Sequence, residues 1–173
     1  QSIVVPSRVD EDLAKESLLA AGADPLSISK NLAELKSIKV SKNYPDKIVL
    51  GADSVVSLNN ELINKPSSRE EALEILKKLN NSTHYLISSV CFSKNGAMIW
   101  NHTESSELKM KDFSERQLLK YLERIDTKTL LNYGVYQIES EGLKLFDYVK
   151  GDRSSIMGLP IKEIENYIRQ HKK

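Results

Sequence analysis

Five consecutive apolar or small residues, Ile48-Val49-Leu50-Gly51-Ala52, run directly into a carboxylate, Asp53. The run is short and uninterrupted, which predicts a strand covered on both faces. A carboxylate directly after such a strand sits at its C-terminal end, where open α/β sheets bind ligands. The segments on either side predict what covers the strand. Residues 11–21 read as a helix stopped by Gly22. Asp24-Pro25 opens a second helix, with Asp24 as cap and Pro25 in the first turn, and it carries Ile28, Leu32, Leu35 and Ile38 at helical spacing.

Downstream, residues 55–63 predict a hairpin turning at Asn59-Asn60, because Asn tolerates positive φ. Ser67 and Glu70 predict a capping box for a helix over 69–79, and Ser114 with Gln117 a second one for a helix over 115–125. Residues 85–92 and 97–109 predict strands joined through Lys94-Asn95-Gly96. Further strands are expected over 133–138 and 143–149, and a last helix over 160–169. Hairpins mixed with crossover helices give an α/β fold, a mixed sheet with helices packed on it.

The chain has 173 residues, enough for one domain with a real core. Its net charge is +1 with no basic run, so non-specific nucleic-acid binding is not indicated. No apolar stretch approaches the roughly 20 residues of a membrane span. The start, Gln1-Ser2-Ile3-Val4-Val5-Pro6, lacks the basic and apolar segments of a signal peptide. The single cysteine, Cys91, lies in an apolar run and reads as a small buried residue. A cytoplasmic location is expected.

Several residues are suited to chemistry, and each also has an ordinary reading. Asp53 is suited to hold a divalent cation or to take a proton from an attacking water; its ordinary role is to start a turn. Lys65, held in Asn64-Lys65-Pro66 after the hairpin, is suited to meet a polyphosphate as a point charge, and otherwise is a solvated lysine. Lys36, next to Leu35, can snorkel along the core toward an anion, or stand exposed. Asp10 and Glu11 offer two carboxylates at a helix start, either favourable there by charge or available as metal ligands. Gln137 carries both donors and acceptors and can read a base edge, or be a polar residue of an edge strand. His84, His102 and His171 show no paired metal-ligand spacing. Trp100 reads as a sheet-face residue.

Taken in order, Pro6-Ser7-Arg8-Val9-Asp10-Glu11, Leu32-Ala33-Glu34-Leu35-Lys36, Gly51-Ala52-Asp53-Ser54-Val55-Val56, Asn64-Lys65-Pro66, Tyr133-Gly134-Val135-Tyr136-Gln137-Ile138-Glu139 and Gly158-Leu159-Pro160 resemble the Maf family of nucleotide pyrophosphatases over nearly the whole chain. The resemblance implies a fold similar to inosine triphosphate pyrophosphatase: a long twisted mixed sheet flanked by helices, with two lobes and a central cleft. It implies hydrolysis of a nucleoside triphosphate to the monophosphate and pyrophosphate, dependent on Mg²⁺ or Mn²⁺. Pyrimidine or modified nucleotides are the expected substrates; a 7-methyl-GTP pyrophosphatase or a catalytically silent nucleotide-binding relative are the alternatives. By the same resemblance Asp53 would accept the proton, Glu11 and Asp53 would hold the metal, and Lys36 and Lys65 would contact the triphosphate. Ser54 and Gln137 match positions linked to substrate selection. The family pattern opens with a strand leading into Ser-x-Ser-Pro-Arg-Arg, a segment not found in residues 1–173, so one N-terminally incomplete Maf-like domain is expected. Family members are often dimers, so a homodimer is a further expectation.

Overall fold

In the computed structural model, which describes residues 2–171, the elements in chain order are α1 (Glu11–Ala20), α2 (Pro25–Ser41), β1 (Val49–Leu58), β2 (Glu61–Ile63), α3 (Arg69–Leu79), β3 (Thr83–Lys94), β4 (Ala97–Met110), α4 (Glu115–Leu122), α5 (Thr127–Tyr133), a 3-10 helix (Glu141–Leu145), β5 (Phe146–Lys150), α6 (Arg153–Ile156) and α7 (Ile161–His171). The strands form one sheet in the order β2-β1-β3-β4-β5. The β1–β2 and β4–β5 pairings are antiparallel, and helices flank the sheet, which fits the expected α/β class. The chain groups into two compact units. The first takes the chain up to Val55, the segment Ile87–Ser105 and the chain from Asp152 on; the second takes Val56–Leu86 and Ser106–Gly151.

Local sequence accounts for most of the element ends. Asp10 and Asp24 cap α1 and α2, each accepting from the backbone N–H three residues on. Asn59 and Asn60 both take positive φ, as do Asn95 and Gly96 in the β3–β4 turn. The cap of α3 lies one residue later than predicted. Ser68 accepts from the Glu71 N–H, while the Glu71 carboxylate takes hydrogen bonds from the N–H and hydroxyl of Ser67. At α4, Gln117 accepts from the Ser114 N–H as expected.

Within the first unit, helices lie on both faces of the β3–β4 hairpin. On one face α2 approaches closely because its buried stripe is small. Ser29, Ala33, Ser37 and Ser41 are fully buried or nearly so. Ser29 meets Ser89 at 2.9 Å and Ser37 meets Ser93 at 2.7 Å, Oγ to Oγ. Gly51 completes this seam, since a Cβ there would lie 2.4 Å from the Ala33 carbonyl oxygen. On the other face Val90 and Phe92 pack against Ile164 of α7, and Phe92, Trp100 and Tyr167 stack their rings. Trp100 is thus the sheet-face residue expected of it.

Four expectations are corrected. Asp53 does not stand at the C-terminal end of its strand: β1 runs unbroken over Val49–Leu58, so Asp53 lies in its middle and the first strand of the expected hairpin is the continuation of the same strand. The apolar run into Asp53 is not covered on both faces: Gly51, Asp53, Val55 and Ser57 are buried, whereas Ile48 and Leu50 are 59% and 39% exposed. Strand alternation therefore wins over the continuous apolar pattern. Residues 133–138 are not a strand. Tyr133 ends α5, Gly134 turns at φ +94°, and the chain runs on as a loop. Residues 141–145 form the 3-10 helix, so the last strand begins only at Phe146.

The second unit has its own core. Leu76, Leu79, Leu108, Met110, Leu118 and Leu130 are buried there at 1% exposure or less. His84 lies within it, fully buried, its Nε2 2.9 Å from the Tyr136 hydroxyl.

Candidate functional site

Alternation along β1 decides which way each candidate side chain points. Asp53 shares a face with Gly51, toward α2, and Ser54 points to the opposite face. The small-residue seam sets how close α2 comes, and Lys36, one turn along from Ala33 and Leu32, reaches across to the strand. Its Nζ stands 2.8 Å from Asp53 Oδ1 and 3.0 Å from Glu11 Oε1. Glu11 is delivered by the first residue of α1, which packs on α2. Three of the residues singled out in the sequence are thus brought together: Glu11, Lys36 and Asp53. A buried hydroxyl supports the arrangement, because Ser29 Oγ lies 3.2 Å from the Asp53 carbonyl oxygen and ties α2 to the strand at that residue.

The electrostatics follow from burial. Asp53 is 8% exposed, and burial raises its pKa above the ordinary 3.8. The charge and hydrogen bond of Lys36 pull in the opposite direction without cancelling it, and Glu11 adds to the rise. For Lys36 burial favours the neutral amine, yet the attraction and hydrogen bonds of Asp53 and Glu11 outweigh it, so its pKa is raised and the ammonium is held. Asp53 Oδ2 is buried and has no hydrogen-bond partner. A buried carboxylate oxygen left with free lone pairs is costly unless something is meant to meet it.

These two carboxylates fit a hard divalent cation. Mg²⁺ is typically held by one or two protein carboxylates plus phosphates and water, so a pair with an unpartnered oxygen is a sufficient protein share. Among the described residues, no cluster of three or more His, Cys, Asp or Glu side chains is placed to hold a metal by itself.

The remaining candidates have other surroundings. Ser54 is exposed, and its Oγ lies 2.9 Å from Ser88 Oγ. In the second unit, Lys65 is exposed between β2 and the buried Pro66. Gln137 is half-buried on the loop after α5, and Gly142 folds back so closely that a Cβ there would lie 2.3 Å from the Gln137 carbonyl oxygen. Asp10 caps α1. Ser29 and Ser88 were not singled out in the sequence. The signal for Ser29 was present in the four-residue spacing of Ser29, Ala33, Ser37 and Ser41, a small stripe beside an apolar one; Ser88, one of three buried serines of β3, carries no comparable signal.

The fold and this site define an α/β protein in which β1, an inner strand of the sheet, carries a buried acid clamped by a helical lysine to a second acid. The chain belongs to the Maf-like protein family: the family model matches residues 1–171. A nucleoside triphosphate pyrophosphatase of Pelagibacter ubique is 54% identical over 166 residues, covering 96% of this chain and 85% of the relative. One from Caulobacter vibrioides is 41% identical, with 94% and 81% covered. A 7-methyl-GTP pyrophosphatase of Rhizobium etli is 33% identical, with 95% and 83% covered.

Proposed function

We propose that this chain is a nucleoside triphosphate pyrophosphatase of the cytoplasm, a hydrolase that splits a nucleoside triphosphate into the monophosphate and pyrophosphate. The observation that carries the reading is Asp53: buried, clamped on one oxygen by Lys36, and unpartnered on the other. The names of the relatives support the same activity.

Asp53 Oδ2 accepts a proton from the water that attacks the α-phosphorus. The new P–O bond forms as the bond to the bridging oxygen breaks, and pyrophosphate leaves. A raised pKa suits this role, because a base works best when its pKa approaches the working pH. Lys36 fixes the carboxylate in orientation and keeps positive charge beside the phosphates. By the family resemblance Lys65 is read as a triphosphate contact, and Ser54 and Gln137 as residues linked to substrate selection. A divalent cation held by Glu11 and Asp53 would offset the charge of the phosphate oxygens.

The substrates are read as pyrimidine or modified nucleotides. The Rhizobium relative favours a second reading within the class, a 7-methyl-GTP pyrophosphatase. A panel of nucleoside triphosphates including 7-methyl-GTP, assayed for pyrophosphate with Mg²⁺ or Mn²⁺, tests both. Release from at least one, lost on chelation and lost in Asp53→Asn, is expected. A folded protein that releases none from any member overturns the enzymatic reading and leaves a nucleotide-binding relative.

A further inference from the structure

The face of β1 opposite Asp53 carries a chain of hydroxyls whose protons can be assigned. Ser54 Oγ lies 2.9 Å from Ser88 Oγ, and Ser88 Oγ lies 2.7 Å from the carbonyl oxygen of Ser155. A carbonyl oxygen only accepts, so Ser88 gives its one proton to Ser155. With that proton committed, Ser88 can only accept from Ser54. Ser88 is fully buried and Ser155 is 1% exposed, so no solvent competes for these bonds. The Ser155 carbonyl also accepts from the Gly158 N–H at 2.9 Å, but two oxygens 2.7 Å apart with no proton between them would repel, so the Ser88 proton stays on that side. Ser54 itself is exposed, and its own proton points back into the protein. What its oxygen offers outward is lone pairs alone. The loop between α6 and α7 borders this oxygen through Gly158, where a Cβ would stand 3.6 Å from Ser54 Oγ.

We infer that Ser88 is a positioning residue that fixes Ser54 as a hydrogen-bond acceptor, so that the group Ser54 selects on the nucleotide is an N–H donor of the base and not a carbonyl. The inference rests on the proposed function in taking Ser54 as a base-selecting residue. It goes further in assigning the polarity of that contact and the residue that sets it. A site built to pair with a donor discriminates steeply against an analogue that lacks it, because the protein group is then left unpaired.

The test compares, by calorimetry, two non-hydrolysable α,β-methylene triphosphates carrying the preferred base. One has its pairing-edge N–H intact, and in the other that hydrogen is replaced by methyl. The unaltered protein is expected to favour the N–H form by at least about tenfold, the net worth of one ordinary hydrogen bond. Ser88→Ala frees the Ser54 hydroxyl to rotate and should shrink that ratio at least threefold. In a Ser54→Ala background, Ser88→Ala should leave the ratio unchanged, which a merely structural role for Ser88 would not produce. A ratio that Ser88→Ala leaves at the original value, or that falls equally in both backgrounds, overturns the inference. Should Ser88→Ala fail to fold, the exposed Ser54→Ala decides alone: retention of the full ratio overturns it. Binding without any pyrophosphate release in the parallel assay would sink the proposed activity and leave this inference standing, while absence of binding to any nucleotide would sink both.

Discussion

Lys36 holds Asp53 from across the gap between α2 and β1, with Nζ 2.8 Å from Oδ1, while the other oxygen of the same carboxylate stays buried and unpartnered. Half of the acid is committed to structure and half is left for chemistry. Asp53→Asn removes the charge at nearly constant shape. Pyrophosphate release is expected to fall by two to three decades or more, the usual cost of deleting a positioned charge. Stability should respond in the other direction. A carboxyl whose folded pKa is raised is disfavoured as the anion in the folded state, so its contribution is lost as pH rises through the folded pKa. At pH 7 the variant should unfold at a temperature no lower than the parent. A clear fall in the unfolding midpoint would show that the ion pair with Lys36 outweighs the burial.

The same balance sets the pH profile. Asp53 accepts a proton only when ionised, so kcat/KM should decline on the acid side. Burial places that limb above 3.8. Lys36 pulls the pKa down, so removing it should move the acid limb further up, toward neutrality. Lys36→Ala is therefore expected to shift the limb to higher pH in addition to lowering the maximum. A Lys36→Ala profile with its acid limb unmoved or shifted down would separate Asp53 from the titrating base.

Gly51 makes the clamp possible. An added Cβ would stand 2.4 Å from the Ala33 carbonyl oxygen and 2.7 Å from the Ser37 nitrogen, both backbone atoms of α2. Neither can yield as the tip of a flexible side chain can, so α2 must move. Gly51→Ala is expected to destabilise the protein by about 1–3 kcal/mol, the range for overpacked cores. Urea unfolding measures that loss. Activity at a temperature where the variant is still folded should fall as well, because the displaced helix carries Lys36 away from Asp53. Full activity in a destabilised variant would show that the two are not coupled.

How far the sequence could be read follows from these residues. The caps at Asp24 and Ser114 and the turns at Asn59-Asn60 and Asn95-Gly96 were legible because they depend on neighbours in the chain. Glu11, Lys36 and Asp53 were each ambiguous alone, and only the family order of their motifs lifted them. The loop through Gln137 was misread as a strand because Val135, Gln137 and their apolar neighbours alternate as a strand would. What stops them pairing is tertiary: Tyr121 donates to the Val135 carbonyl, Tyr136 packs its ring on Phe146 and meets His84, and Gly142 closes over Gln137. The opposite facing of Asp53 and Ser54 follows from strand period only once β1 is known to run through both, whereas the sequence pattern ended the strand before Asp53. The hydroxyl chain behind Ser54 was not readable, because serines 34 and 67 residues apart in the chain meet only through folding.

His84 gives the second unit a pH signature of its own. Burial lowers its pKa to about 4, from 6.5 when solvated, so the folded protein keeps it neutral. Its Nε2 is held by Tyr136, and its Nδ1 has no partner that would welcome a second proton. The unfolded chain binds a proton at its histidine from pH 6.5 downward, and the folded chain does so only near 4. Stability from this group is therefore full above pH 6.5 and drains away as the pH falls toward 4, by about 2 kcal/mol between pH 7 and pH 5. Asp53 works in the opposite sense over acid pH, so the comparison must isolate His84. His84→Gln keeps a polar partner for the Tyr136 hydroxyl and removes the titration. Urea unfolding at pH 7 and pH 5 is expected to show a drop in the parent that is smaller in His84→Gln by about this amount, even though the variant is weaker at pH 7. An equal drop in both proteins would mean that His84 takes up its proton in the folded state as readily as in the unfolded chain, and that the core around Tyr136 is wetter than its burial implies.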